Sequence, residues 1–156
     1  MTISGIHLLL TYKCSFACDH CFVYACPDAK GVMRISDVRE ILSEAQKAGN
    51  LEMMFFEGGE PFLYYQTMLW GLRAAKERGF KRGIVTNAYW ATSVEDAKEW
   101  LGPVSEVGVS ALSISDDAYQ QLVEGPDHLV INRVLGGSKV FIVLDEEMER
   151  QLRENL

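Results

Sequence analysis

Two apolar patterns alternate along this chain. Short, nearly continuous apolar runs are each followed by a longer stretch with apolar residues three and four apart. Residues 6–11 form the first run and end on a β-branched residue, which predicts a strand buried on both faces. Ser36 or Asp37 can cap a helix with Val38, Ile41, Leu42 and Ala45 on one face, and Gly49 closes it. Residues 51–56 are the second run, and it stops at Glu57-Gly58-Gly59-Glu60-Pro61. A helix over residues 65–78 follows, with Met68, Leu69, Leu72 and Ala75 aligned.

Residues 82–86 predict a third strand. Ser93 and Asp96 resemble a capping box for a third helix, which is expected to stop at Gly102-Pro103. Residues 107–115 predict a fourth strand and residues 139–144 a fifth. Between them, residues 126–136 read either as a short helix or as a strand paired to the fifth. Residues 145–155 predict a polar helix. Strands alternating with helices of ten to fifteen residues imply about five parallel βα units with the helices outside. In such folds ligands collect at the carboxyl ends of the strands. The unusual residues of this sequence fall there.

The chain has 156 residues and 48% hydrophobic content, enough for one domain spanning 1–156 with a substantial core. The net charge is −7 and no basic stretch stands out, which argues against a nucleic-acid partner. No run approaches membrane-spanning length, and residues 6–10 are too short and too interrupted for a signal peptide. A cytoplasmic location follows, where cysteines serve more often as metal ligands or catalysts than in disulfides.

Those cysteines carry the chemistry. Cys14, Cys18 and Cys21 fall within eight residues, directly after the first strand. Thiolates favour zinc or iron–sulfur ligation. A zinc ion takes a fourth ligand, for which Cys26, His20 or Asp19 is available, but zinc patterns usually come as two separated pairs. A 4Fe–4S cluster held by three cysteines, with one iron open to another ligand, fits the spacing better. Cys26 lacks a partner cysteine and reads as a small buried hydrophobe. Thr86, Asn87, Tyr89 and Trp90, at or just past the third strand, are candidates for lining a pocket. His7 and His128 look isolated.

The segment Cys14-Ser15-Phe16-Ala17-Cys18-Asp19-His20-Cys21 resembles the Cys-x-x-x-Cys-x-x-Cys signature of radical S-adenosylmethionine (radical SAM) enzymes. The resemblance implies a partial, open TIM-like barrel, three cysteines on a 4Fe–4S cluster, and S-adenosylmethionine on the open iron. It implies reductive cleavage of S-adenosylmethionine to a 5′-deoxyadenosyl radical that takes hydrogen from a substrate. His20 would lie beside the adenine. Gly58-Gly59-Glu60-Pro61 resembles the family's Gly-Gly-Glu motif, which binds the methionine amine. Two glycines let backbone approach a ligand closely, and Glu60 offers acceptors to an ammonium. Ser115-Asp116-Asp117 resembles the family's Ser-x-Asp, which would place Ser115 and Asp117 at the ribose and carboxylate, with Ser113 facing the same way.

The resemblance covers about residues 5–118 and then fades, as in a compact member or a piece of a longer one. It also implies an electron donor such as a flavodoxin or ferredoxin, oxygen sensitivity, and a peptide or protein substrate of the kind small members act on. The competing reading is a non-catalytic iron–sulfur or zinc module for electron transfer or scaffolding, or a degenerate family member.

Overall fold

The computed structural model describes residues 3–19 and 21–116, and the backbone of 139–144. In order come β1 (Gly5–Leu9), α1 (Ile35–Ala48), β2 (Met53–Glu57), a 3-10 turn (Pro61–Tyr64), α2 (Tyr65–Glu77), β3 (Lys81–Thr86), α3 (Val94–Val107), β4 (Ala111–Asp116) and β5 (Lys139–Leu144). The five strands form one sheet in the order β1-β2-β3-β4-β5, and every neighbouring pair is parallel. Among the described residues the two outer strands, β1 and β5, do not pair, so the sheet is open, as expected of a barrel segment. The expected segments at residues 126–136 and 145–155, and His128, lie outside the described residues.

Side chains alternate between the two faces of the sheet. Leu8, Met54, Phe56, Ile84, Leu112 and Ile114, all 3% exposed or less, face the helices and meet Val38, Leu42, Met68, Leu72, Leu101 and Val104. Burying one such side chain contributes about 1.5–3 kcal/mol, so this layer dominates the stability. The expectation that β1 is buried on both faces is not met. His7 is exposed, because it lies on the face of an outer strand opposite the helix-packed one.

Two helix boundaries also differ from expectation. α1 starts two residues early, with Arg34 at its cap. Asp37 acts from the third helical position, accepting the Arg34 backbone N–H at 2.9 Å. α3 does not stop at Gly102-Pro103 but runs through Pro103 to Val107. Proline removes one N–H from the ladder, and the apolar stripe of Ala97, Leu101, Val104 and Val107 continues past it into the core, so burial outweighs the lost bond. Ser93 caps α3 as expected, its hydroxyl accepting the Asp96 N–H at 3.0 Å. Among the described residues no helix is long and apolar enough to cross a membrane.

Candidate cofactor site

The three loops that leave β1, β2 and β3 are tied into a ring. Gly59 donates its N–H to the Thr11 carbonyl at 2.7 Å, and Glu60 donates its own to Lys13 at 2.9 Å. The Glu60 carboxylate then reaches the third loop. It accepts the Thr86 hydroxyl at 2.9 Å and the Asn87 backbone N–H at 2.8 Å, while also taking the Phe62 N–H at 3.0 Å. Asn87 closes the ring on the first loop, its Nδ2 donating to the Cys14 sulfur at 3.4 Å and to Ser15 Oγ at 3.0 Å.

Two glycines make the first contact possible. Gly58 has φ +143, and a Cβ there would stand 2.4 Å from the Thr11 oxygen. A Cβ on Gly59 would stand 2.2 Å from the Lys13 oxygen. The glycines permit a close approach, and the one the structure shows is to the cysteine loop itself.

A cleft of about 220 Å³ opens above this ring, at the carboxyl ends of the strands. Cys14, Cys18 and Cys21 line it together with Gly58, Gly59, Asn87 and Ser115. Thr86 and Val85 contribute from β3, and Phe16 and Phe22 from the cysteine loop. All four cysteines are free thiols. Burial pushes the Cys14 thiol up, against donors from Phe16 and Asn87 that hold it down. Cys21 accepts the Ala25 N–H at 3.3 Å.

Other expected site residues fall elsewhere. Glu60 is fully buried behind the cleft wall, its oxygens already occupied, and Pro61 is buried beside it. Burial pushes the Glu60 carboxyl up to about 7, opposed by its three donors. Ser113 sits one pleat behind Ser115 on the same face and is not part of the lining. His20 and Asp117 lie outside the described residues. Trp90 turns into the core, stacking on Phe62 at 4.5 Å and donating Nε1–H to Thr86 Oγ1 at 3.2 Å. Cys26 is only half-buried, and its backbone pairs with the loop: its N–H goes to Tyr12 O at 3.2 Å and its carbonyl accepts from Cys14 N at 3.1 Å.

The chemistry of the donor set fits an iron–sulfur cluster. Among the described residues no three His, Cys, Asp or Glu side chains converge closely enough for one metal ion. A cluster does not require that convergence, because each cysteine takes a different iron.

Residues 8–136 match the family model described as the Radical SAM superfamily. The chain belongs to the radical SAM superfamily. This family works with a 4Fe–4S cluster and S-adenosylmethionine, the two cofactors expected from the cysteine loop. The chain is 27% identical over 114 residues to YydG of Bacillus subtilis, a protein named for peptide biosynthesis. It is 34% identical over 113 residues to the tungsten-containing aldehyde ferredoxin oxidoreductase cofactor-modifying protein of Pyrococcus furiosus. These alignments take in 73% and 72% of this chain but only 36% and 30% of the relatives. The crystal structure of BtrN in complex with AdoMet and 2-DOIA superposes with a TM-score of 0.66 at 17% identity. That alignment covers 94% of this chain and 58% of BtrN, and establishes the radical SAM fold.

Sequence reasoning missed one polar pair. His7 Nδ1 lies 2.9 Å from Glu57 Oε2, and the His7 ring stacks on Phe55 at 4.5 Å. All three residues sit on the same face of the sheet, where parallel register brings β1 and β2 together. Nothing in the local spacing of His7 signals a partner fifty residues away.

Proposed function

We propose that this radical SAM chain holds a 4Fe–4S cluster through Cys14, Cys18 and Cys21 and cleaves S-adenosylmethionine to start hydrogen abstraction from a substrate. The observation that carries this reading is that the three thiols share one cleft with Gly58, Gly59, Asn87 and Ser115. When bound, the cluster supplies one electron to S-adenosylmethionine, which splits to methionine and a 5′-deoxyadenosyl radical.

The chain's own residues hold the rest in place. Gly58 and Gly59, packed closely on the cysteine loop, present a backbone edge to the methionine end of the molecule where they line the cleft. Glu60 and Pro61 support that edge from behind, with Glu60 fixing it to the Asn87 turn. Ser115 offers a hydroxyl, and Asp117 a carboxylate, to the ribose. Phe16 and Phe22 give the cleft apolar side chains on the cysteine side. His20 is the residue assigned to contact the adenine.

Residues 1–156 are one radical SAM core-like domain of a protein that works in the cytoplasm with an electron donor such as a flavodoxin or ferredoxin. A peptide or protein is the substrate class in view, a reading supported by the peptide-biosynthesis name of YydG.

The test is anaerobic. The protein is reconstituted with iron and sulfide, reduced, and given S-adenosylmethionine. 5′-Deoxyadenosine is expected, and none above background with Cys18→Ala. An intact cluster without 5′-deoxyadenosine defeats the enzymatic reading. One tightly bound zinc without iron defeats the cluster assignment.

A further inference from the structure

Asn87 is held from three sides. Its backbone N–H goes to the buried Glu60 carboxylate at 2.8 Å. Its Oδ1 accepts the Tyr89 N–H at 3.1 Å. That second bond decides which way the amide faces, because a backbone N–H can only donate and so selects the carbonyl end. The Nδ2 end is then committed to the other side, where Cys14 Sγ lies at 3.4 Å and Ser15 Oγ at 3.0 Å. Asn87 and Cys14 are both buried, at 6% and 8% exposure. In such surroundings a hydrogen bond acts through a low dielectric and is screened little by water.

We propose that Asn87 is a positioning residue that sets the reduction potential at this site, its side-chain amide donating to the Cys14 sulfur and making the cluster easier to reduce. The inference rests on the cluster reading above. Reduction adds negative charge, part of which resides on the thiolate sulfurs. A fixed N–H donor at one of them stabilises the reduced form more than the oxidised form, and hydrogen bonds to the sulfurs are a recognised control on cluster potential. Asn87 is therefore a means by which the third loop, and through it Glu60, acts on the first.

The test is a redox titration of the reconstituted full chain, followed by the electron paramagnetic resonance signal of the reduced cluster. Asn87→Asp keeps an oxygen for the Tyr89 N–H and replaces the donor with an acceptor. Asn87→Ser keeps a hydroxyl for the turn, adds no charge and is too short to reach Cys14. Both variants should titrate at a more negative midpoint potential than wild type, the Asp variant further. Ser15→Ala, which leaves the bond to Cys14 in place, should not shift. Wild-type potentials in both Asn87 variants with full iron content overturn the proposal.

A measurement on the wild-type protein guards against variants that load poorly. With 15N-labelled asparagine, hyperfine spectroscopy of the reduced cluster should detect coupling to an asparagine nitrogen. The absence of any such coupling overturns the proposal too. If wild-type protein forms no 4Fe–4S signal at all, the cluster reading fails instead, and the two failures are distinguishable.

Discussion

Glu60 and Asn87 lie 27 residues apart on successive loops, and the carboxylate of one accepts the backbone N–H of the other at 2.8 Å. Glu60 has no exposed surface, so this bond holds the wall of the cleft from inside the fold. It also makes a buried acid part of the framework that aligns Gly58, Gly59 and Asn87.

The acid should be visible in stability. Its carboxyl is raised from 4.5 to about 7, so the folded state holds the proton more tightly than the unfolded state. The corresponding stability is fully present below about pH 4.5 and is lost as pH rises through about 7. The loss amounts to about 3 kcal/mol over that window at 1.36 kcal/mol per unit. Urea unfolding of the apoprotein from pH 5 to 8 should show this decline. Glu60→Gln should flatten it while lowering stability by about 1–3 kcal/mol, because an amide cannot accept all three donors.

The glycines should tolerate no side chain. Gly59→Ala brings a Cβ to 2.2 Å from the Lys13 oxygen, and Gly58→Ala adds a strained φ to a 2.4 Å contact. Each variant should lose about 2–4 kcal/mol or spread the loops apart. Iron bound per chain after reconstitution, with denaturation of the apoprotein, measures both effects. Gly102→Ala, at an unstrained position where nothing lies within 4 Å, should leave iron binding unchanged.

The aromatic stack behind the third loop should matter more than its distance from the cleft suggests. Trp90→Phe keeps most of the packing on Phe62 but loses the Nε1–H bond to Thr86, at a cost of about 1–2 kcal/mol. Trp90→Ala should cost about 3–5 kcal/mol. Thermal unfolding monitored by circular dichroism checks the order of the two.

The His7–Glu57 pair should contribute modestly. The His7 side chain is 54% exposed and that of Glu57 11%, so solvent screens much of the attraction. A double-mutant cycle with His7→Ala and Glu57→Ala should return a coupling of about 0.5–1 kcal/mol. Coupling indistinguishable from zero would overturn this expectation.

The elements that were legible beforehand are those written locally. The run Met53-Met54-Phe55-Phe56 announces β2, the spacing of Val38, Leu42 and Ala45 announces α1, and the fifth strand lies where the apolar run at residues 139–144 placed it. Pro103 misled because its local rule, one missing N–H, was weighed without Val104 and Val107, whose burial appears only once α3 is laid on the sheet.

By itself, the sequence determined the three-thiol loop, the Gly-Gly turn after β2 and the alternation that forces parallel pairing, since each depends on residues within a few positions of one another. The tertiary structure alone decided that Glu60 turns away from the cleft, that Asn87 faces Cys14 across 73 positions, and that His7 meets Glu57. Those contacts depend on strand register and on which buried donors need an acceptor, quantities that exist only when distant loops are brought to the same end of one sheet.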